Sequence, residues 1–436
     1  MALSSLFVAA CLLCAGVVNG ITPNPSDGHW IDNWATMPQL TEAANLPNPP
    51  FNQTGLVFPN STIRQTIRVS LPANQIRLKF SNNFGLTNLP ISAVTVALPK
   101  NGSSGTSEIQ TNTLQTVTFS GGETSFSIPN GALAVSDPLN FPVKAQSELA
   151  ITMYLEAGQT TNDITSHPGS RATTWFSFGN HVGAENLTDP STQNVAHWYF
   201  ISAVEAWVPK TDIAFSIVGD SITDGRASDT DGNDRWPDLL LDRMSKNAAT
   251  KNIAIANQAA GGNRILADGL GPNAFGRIER DVISHSGIKF AMIFEGVNDI
   301  GTANTDVASQ TAVGDQVIAA FKQIVARVHA VGLPMFAATI TPFSAPPANA
   351  SIQPYSNPER EKTRQRVNAF IRDSGLFDAV MDFDAVVRDP QDPSMLAPNF
   401  NSGDFLHPNV AGYTAIANSF PLDVFEKFAN GVSGFT

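Results

Sequence analysis

The residues best suited to chemistry in this 436-residue sequence are a serine and an aspartate–histidine pair that lies far from it along the chain. Ser221 follows the apolar run 213–218 and a glycine, so it lies where a strand turns into a helix and where the helix dipole is positive. Asp404 and His407 have i, i+3 spacing, which lets the carboxylate hold one ring nitrogen while the other faces a serine. The three residues predict nucleophilic catalysis, although Ser221 alone also fits a capped turn.

Two further segments offer hydrogen-bond donors to an oxyanion. Gly261 and Gly262 follow one apolar run, and Asn298 follows another. A glycine leaves its backbone amide open to a substrate oxygen, and a side-chain amide can donate as well. With the Ser221 amide, Gly262 and Asn298 predict an oxyanion hole of three donors, in which Gly261 could replace Gly262. Each segment alone also fits an ordinary loop.

The second half of the sequence contains the elements that would hold these residues. Short, nearly continuous apolar runs alternate with segments of helical period, notably 317–331 and 358–374. This alternation is typical of an α/β fold whose parallel sheet is covered by helices on both faces. In such sheets the active site lies at the carboxyl ends of the strands, which is where the serine, the glycines and Asn298 occur. The apolar runs are 213–218, 253–256, 290–294, 335–340 and 379–383.

The first half has a different pattern. Between Trp30 and Pro209, segments of alternating apolar residues, rich in Thr, Val, Ile and Phe, are separated by turn residues. They predict antiparallel strands in an all-β sandwich or jelly roll. We therefore divide the chain into an accessory β-rich domain, 21–210, and an α/β domain, 211–436, whose short junction is too poor in Gly and Ser for free tumbling. The clearest strands are 62–69, 75–80, 93–98, 124–128, 149–155 and 174–178.

Taken together, the four chemistry-bearing segments resemble the catalytic blocks of the SGNH/GDSL hydrolase family. The matching residues are Gly-Asp-Ser at 219–221, Gly at 262, Gly-Val-Asn-Asp at 296–299 and Asp-Phe-Leu-His at 404–407. The resemblance covers about 211–430 and implies a three-layer, flavodoxin-like fold and ester hydrolysis. The first half resembles the amino-terminal region of a longer subgroup of secreted, microbial GDSL-type esterases. The implied roles are nucleophile for Ser221, acid and base for Asp404 and His407, and oxyanion donors for Ser221, Gly262 and Asn298.

This reading predicts a two-step acyl transfer that needs no metal or cofactor. The histidine takes the serine proton, the serine attacks an ester carbonyl, and water later releases the acyl group. The expected substrate is acylated, above all acetylated, extracellular polysaccharide or oligosaccharide, and the second expectation is a lipid or lysophospholipid. A carbohydrate-binding protein with vestigial activity is the third alternative. His167, Arg171 and Trp175 are candidate substrate contacts from the first half, or else ordinary sandwich turns and core.

The first 20 residues and the cysteine usage predict export. Residues 6–18 form a run of thirteen without a polar side chain, fewer than the roughly 20 needed to cross a bilayer. Small residues follow, as is typical of a secretory signal peptide at 1–20, although the run has no Lys or Arg and also fits a buried helix. Both cysteines, Cys11 and Cys14, lie in it, so the mature chain would have none. Five sequons predict a glycoprotein. They are Asn52, Asn60, Asn101, Asn186 and Asn349.

Charge and missing motifs exclude other classes of protein. There are 38 acidic and 26 basic residues, a formal net charge of -12, and no run of five Lys or Arg, so nucleic acid is not an expected partner. No apolar run after the leader approaches 18 residues, so no membrane span is expected. The sequence lacks Gly-x-Ser-x-Gly, His-Glu-x-x-His and Gly-Lys-Ser/Thr. The acidic segment 229–238 lacks the pattern of a calcium loop and is expected to be mostly solvated.

Overall fold

The computed structural model describes residues 26–434. Its first half contains five antiparallel sheets, and the two largest have four and six strands. The strands are β1 (His29–Ala35), β2 (Gln39–Leu40), β3 (Asn52–Gln53), β4 (Leu56–Val57), β5 (Ser61–Arg68), β6 (Gln75–Ser81), β7 (Leu89–Ile91), β8 (Ala93–Ala97), β9 (Gln115–Thr116), β10 (Phe126–Ile128), β11 (Leu133–Val135), β12 (Glu148–Leu155), β13 (Thr165–His167), β14 (Thr174–Phe178), β15 (Gln193–Val195), β16 (Trp198–Tyr199) and β17 (Ile201–Val208). The larger sheets have the orders β1-β17-β6-β11 and β15-β14-β5-β12-β8-β9.

Alternating side chains explain how these two sheets pack. In β6, Ile76, Leu78 and Phe80 are fully buried, whereas the residues between them are partly exposed. The buried face packs in one apolar cluster with side chains of the six-stranded sheet, among them Ile151 and Phe176. Each sheet thus buries one face against the other, as a period of two predicts. The all-β sandwich expected for the first half is confirmed.

The second half forms a five-stranded parallel sheet with helices on both faces. The sheet order is β19-β18-β20-β21-β22, the flavodoxin-like 2-1-3-4-5 pattern, and it confirms the predicted fold class. The elements are β18 (Ile213–Gly219), α1 (Ser221–Asp224), α2 (Trp236–Met244), β19 (Ile253–Ala259), α3 (Ala274–Ile278), β20 (Ile288–Phe294), α4 (Val297–Thr302), α5 (Val307–His329), β21 (Met335–Ala338), α6 (Pro358–Asp373), β22 (Ala379–Met381), α7 (Phe383–Val387), α8 (Val410–Ser419) and α9 (Val424–Lys427).

Side-chain caps account for two boundaries that differ from the predicted ones. The helix predicted at 317–331 begins ten residues earlier, at Val307, because the Asp306 carboxylate accepts a hydrogen bond from the Ser309 amide at 2.9 Å. The strand predicted at 379–383 ends at Met381, because Asp382 caps the next helix. Apolar periodicity marked both elements but not their ends.

The two halves share an apolar interface. Ile31 of β1 and Ala206 of β17 are fully buried in the same cluster as Phe215 of the parallel sheet. Polar contacts flank it, including an ion pair between Arg68 and Asp242 at 2.8 Å. The four-stranded sheet is therefore covered on one face by its partner sheet and contributes from the other to the core of the second half. The predicted leader at 1–20, with both cysteines, lies outside the described residues.

One buried carboxyl at this interface gives stability a pH dependence. Glu148 Oε1 accepts a hydrogen bond from Asn233 Nδ2 at 2.8 Å across the interface. Burial raises the pKa of Glu148 from 4.5 to about 7. The folded state holds this proton more tightly than the unfolded state, so the stabilisation is complete below pH about 4.5 and is lost as the pH rises through 7.

Glu148→Gln should therefore stabilise the protein at pH 8, by up to about 3 kcal/mol, and have little effect at pH 4. Glutamine keeps the carbonyl that accepts from Asn233 but cannot ionise. Thermal unfolding from pH 4 to 8 measures the difference, with exposed Glu156→Gln as the control. A Tm difference between Glu148→Gln and wild type that is the same at every pH would contradict the assignment.

Candidate active site

The carboxyl ends of three adjacent strands bring the predicted site segments together. Gly219, the last residue of β18, pairs with Ala259 at the end of β19 and with Phe294 at the end of β20. Because the three strands are parallel and in register, the segments that follow them leave the same edge of the sheet. The strand order also reverses between β18 and β20, the usual place for a ligand in such sheets.

Ser221 is placed by a tight turn from strand to helix. It is the first residue of α1, whose cap Asp220 accepts a hydrogen bond from the Ile222 amide at 2.9 Å. A Cβ at position 219 would lie 2.5 Å from the Thr223 Cβ, so Gly219 is what permits the turn. The serine is 6% exposed, enough to reach a substrate while being held at the start of the helix.

Ser221, His407 and Asp404 form a continuous hydrogen-bonded chain. Nε2 of His407 lies 2.7 Å from Ser221 Oγ, and Nδ1 lies 2.6 Å from Asp404 Oδ2. An ionised carboxylate can only accept, so Nδ1 carries the proton and Nε2 is left to accept from the serine hydroxyl. This geometry can take a proton from the serine and make its oxygen a nucleophile.

Asp404 is fixed by several donors besides the imidazole. Oδ1 accepts from the amides of Leu406 and His407, at 2.9 and 2.8 Å, and from the Ser402 hydroxyl at 3.1 Å. Burial raises the pKa of Asp404, but the hydrogen bond and charge of His407, together with these amides, outweigh it and hold the pKa well below its usual range. The carboxylate therefore stays ionised and can stabilise an imidazolium.

Three N–H groups remain available as oxyanion donors. Asn298 Nδ2 donates one hydrogen to Asn263 O at 2.9 Å and keeps a second. Among residues 26–434, the backbone amides of Ser221 and Gly262 donate to no protein acceptor. Gly262 has a φ of +71°, which favours glycine, whereas a Cβ at Gly261 would meet nothing closer than 3.8 Å. The backbone thus requires a glycine at 262 rather than at 261.

Buried acids lie next to the turn that carries Ser221. Burial raises the pKa of Asp220 and raises that of Glu295 well above its usual value, and the charge of Asp220 raises the latter further. The charge of Arg277 partly counteracts the rise in the pKa of Glu295, because its Nη2 lies 3.4 Å from Glu295 Oε1. Nη1 of the same arginine pairs with Asp281 Oδ2 at 2.7 Å. The raised pKa of Glu295 limits the negative charge that this carboxyl adds near a developing oxyanion.

His167, one of three predicted substrate contacts, lies between the halves. Its Nδ1 donates to Met37 O at 2.9 Å, and its Nε2 is 2.8 Å from Asp224 Oδ1 on α1. Gly169 lies against the other oxygen, since a Cβ there would be 1.7 Å from Asp224 Oδ2. Both ring nitrogens have protein partners, and His167 contacts the last residue of the helix that begins at Ser221.

The other two predicted contacts differ in their free polar groups. Trp175 Nε1 donates to Gly105 O at 2.7 Å. Arg171 has a φ of +50°, and its Nε is buried with no hydrogen-bond partner in the described part of the chain. Its carbonyl accepts from the amide of Asp231. Of the three, Arg171 is the one with an unused buried donor.

The acidic segment 229–238 contacts the first half instead of being freely solvated. The Asp231 carboxylate accepts from the Thr173 amide at 2.6 Å and from its hydroxyl at 2.7 Å.

Between residues 26 and 434, no group of three His, Cys, Asp or Glu side chains is placed to hold a metal ion. In the same range, no helix is both long and apolar enough to cross a bilayer.

Sequence reasoning missed one side chain at this site. The Tyr355 hydroxyl donates to Asn298 Oδ1 at 3.2 Å from a loop that carries no recognisable motif. The available signal was Gly301, three residues after Asn298, because a glycine inside a helix leaves room for a ring.

Asn298→Ala should lower kcat by a factor of about 10²–10³ with little change in KM, because it removes one donor to the transition state. Steady-state kinetics on p-nitrophenyl acetate measure both constants. Asn252→Ala, at the amino end of the same sheet, is the matched control. An unchanged kcat for Asn298→Ala would mean that this segment is only a turn.

The second half of the chain is similar to known proteins. A sequence model of the GDSL-like lipase/acylhydrolase family matches residues 216–420. Similar solved structures include an acetylxylan esterase from Geobacillus stearothermophilus, 19% identical, covering 49% of this chain and 96% of its own, with a TM-score of 0.36. A GDSL-like lipase from Bacteroides thetaiotaomicron is 15% identical and covers 50% and 91%, with a TM-score of 0.35. No curated protein matches the sequence.

The family match includes Ser221, Gly262, Asn298, Asp404 and His407. It begins inside β18 and ends at the residue after α8, so it spans the sheet and both ends of the hydrogen-bonded chain. The predicted family is confirmed for the second half: residues 216–420 form a GDSL-like lipase/acylhydrolase domain, and the protein is a carboxylic ester hydrolase.

Proposed function

We propose that the protein removes short acyl groups, above all acetyl, from extracellular carbohydrate through a serine acyl-enzyme. The observation that carries the catalytic part is the chain from Ser221 Oγ through His407 to Asp404, at 2.7 and 2.6 Å. Beside it, the three unused N–H donors supply the second requirement of acyl transfer, stabilisation of the oxyanion.

In the first half-reaction, His407 Nε2 accepts the serine proton while Ser221 Oγ bonds to the ester carbonyl carbon. The carbonyl oxygen becomes an oxyanion that accepts from the Ser221 and Gly262 amides and from Asn298 Nδ2. The imidazolium then donates its proton to the leaving alcohol as the carbon–oxygen bond breaks. Asp404 stabilises the imidazolium throughout, consistent with its lowered pKa.

The second half-reaction repeats these steps with water. His407 takes a proton from water, the hydroxide attacks the acyl carbon, and the proton returns to Ser221 Oγ as the acid leaves. Every proton is exchanged among Ser221, His407, the leaving alcohol and water. This chain therefore needs only its own residues for each step.

Two features support a short acyl group on a carbohydrate. The Leu270 side chain fills the space beside Gly262, within 2.5 Å of where a Cβ would be, which limits room near the amide donor. The predicted export would bring the enzyme to extracellular polysaccharide. A lipid or lysophospholipid remains the second substrate class, and carbohydrate binding with vestigial activity the third.

A substrate panel tests this proposal. p-Nitrophenyl esters of two to twelve carbons should show the highest kcat/KM at acetate, and acetylated xylan or pectin should release acetate. The Ser221→Ala protein is the blank, and a fluorophosphonate should label Ser221 in the wild type. A preference for long chains or lysophospholipid micelles would reject the carbohydrate assignment, and no turnover of any ester would reject acyl transfer.

Arg171 is proposed as the substrate contact from the first half, supported by its buried, unpartnered Nε. His167 and Trp175 are proposed to support the site without binding substrate, since their ring nitrogens already have protein partners. Arg171→Ala should change the ranking of carbohydrate esters while leaving Tm near wild type. Unchanged kinetics on every ester would reject the contact.

Export and glycosylation are also proposed. In support, none of the five sequon asparagines is buried. Expression in a eukaryotic host should give protein in the medium whose mass falls on treatment with an endoglycosidase. Retention in the cell without glycan would reject both.

A further inference from the structure

The amide plane of Asn298 is held at both ends. Its Nδ2 donates to Asn263 O at 2.9 Å, and its Oδ1 accepts from the Tyr355 hydroxyl at 3.2 Å. A single hydrogen bond would leave the side chain free to rotate about that contact. Two bonds on opposite ends fix the plane, and they also fix the direction of the remaining Nδ2 hydrogen.

Tyr355 is itself seated by the helix that carries Asn298. A Cβ at Gly301 would lie 2.3 Å from the Tyr355 ring, so the ring packs directly on the glycine. The φ of Gly301 is not positive, so its backbone does not require glycine. Position 301 needs a glycine because the Tyr355 ring leaves no room for a Cβ.

The loop around Tyr355 also contacts the acid of the hydrogen-bonded chain. Gln353 is buried, its Oε1 accepts from the Tyr355 amide at 3.0 Å, and its Nε2 donates to Asp404 O at 3.3 Å. Ser356 Oγ accepts from the Ala345 amide at 2.9 Å and closes the base of the loop. The same loop thus touches both the oxyanion side and the acid side.

The hydroxyl is suited to act as a donor. Burial raises the pKa of Tyr355 above its usual 10, and the charge of Asp220 raises it further. The group therefore keeps its proton wherever the esterase works. The protonated hydroxyl can then always donate a hydrogen bond to Asn298 Oδ1.

We propose that Tyr355 is a positioning residue of the ester hydrolase: its hydroxyl holds Asn298 Oδ1 so that the free Nδ2 hydrogen points at the oxyanion. The inference rests on the proposed role of Asn298 as an oxyanion donor. The Tyr355 hydroxyl bonds to Asn298 and not to Ser221 or His407, so its effect should appear in the transition state rather than in substrate binding.

Tyr355→Phe is the first test, because it keeps the ring on Gly301 and removes only the hydroxyl. We expect kcat on p-nitrophenyl acetate to fall about tenfold, as for one lost hydrogen bond, with KM within twofold of wild type. The inhibition constant of a phenylboronic acid, a tetrahedral mimic, should rise by a similar factor. Tyr154→Phe, which loses a hydroxyl bond to Asn60 in the first half, should change none of these values.

A double variant separates this inference from the proposed function. If Tyr355 acts through Asn298, Tyr355→Phe should cost nothing more in the Asn298→Ala background. Additive losses would overturn the inference, as would a wild-type kcat for Tyr355→Phe when Asn298→Ala is impaired. A wild-type kcat for Asn298→Ala would instead overturn the proposed oxyanion donor.

Gly301→Ala provides an independent route to the same effect. Its methyl group would displace the Tyr355 ring without touching Asn298, and alanine favours the helix itself. We expect a fall in kcat similar to that of Tyr355→Phe, and no further fall when the two are combined. A wild-type kcat for a folded Gly301→Ala protein would count against the positioning role.

Discussion

Ser221→Ala should lower kcat for p-nitrophenyl acetate by a factor on the order of 10⁴–10⁶. The variant lacks the oxygen that attacks the carbonyl, so no acyl-enzyme forms and only the oxyanion donors can assist a water molecule. Folding should be retained, because alanine differs from serine only by the loss of the hydroxyl and favours the helix. The hydroxyl's contact with His407 is the bond that is lost.

Steady-state kinetics and thermal unfolding of the same preparation measure this effect. Ser245→Ala is the matched control, because its hydroxyl bonds to the Asp242 carbonyl at the end of α2. It should keep the wild-type kcat and remain reactive to a fluorophosphonate, whereas Ser221→Ala should lose both. Label found on another serine, or a kcat within tenfold of wild type for Ser221→Ala, would rule out Ser221 as the nucleophile.

The meeting of the site segments could be predicted because it depends on strand ends. In the sequence, an apolar run followed by a polar segment predicts the carboxyl end of a parallel strand. Because neighbouring strands pair in parallel, three such ends lie side by side. Gly219, Ala259 and Phe294 lie at the same level of the sheet, so the segments after them could be placed without knowing the loops. The i, i+3 spacing of Asp404 and His407 is equally local.

Contacts across long stretches of sequence could not be predicted in this way. His167 and Asp224 are 57 residues apart and belong to different halves, and nothing in either local pattern indicates their pairing. The same holds for Tyr355 and Asn298, which are also 57 residues apart. Such pairs depend on how complete layers pack. Hydrophobic periodicity identifies the helices and strands of each layer, but it does not predict how the layers pack against one another.

The pairing of His167 with Asp224 suggests why the first half has a place in an esterase. The imidazole Nδ1 lies 2.9 Å from Met37 O in the first half, and Nε2 lies 2.8 Å from Asp224 Oδ1 on α1. This bond holds the last residue of α1, three residues after Ser221 at its start. A four-residue helix has few internal hydrogen bonds, so a bond from the first half helps to fix the position of α1.

Asp404→Asn should have the second large effect, a fall in kcat of about 10⁴-fold. Oδ1 of the native residue accepts from the amides of Leu406 and His407, whereas Oδ2 accepts from His407 Nδ1. Asparagine would keep its oxygen toward the two amides, because an NH2 group there would face two donors. Its NH2 group would then face Nδ1, the ring proton would move to Nε2, and the serine would lose its base.

A second His–Asp pair in the same protein separates this tautomer effect from a general loss of packing. His329 Nε2 lies 2.8 Å from Asp378 Oδ2, which also accepts from the Met335 amide at the amino end of β21. Asp378→Asn makes the same carboxylate-to-amide change beside a histidine, but at the amino ends of the strands, away from Ser221. It should therefore leave kcat unchanged even if Tm falls. If both variants lost activity equally, or if Asp404→Asn kept a kcat within tenfold of wild type, Asp404 would not set the tautomer of the base. A loss confined to Asp404→Asn, with KM and Tm near wild type, would mean that the carboxylate acts on the proton of His407 and not on the fold.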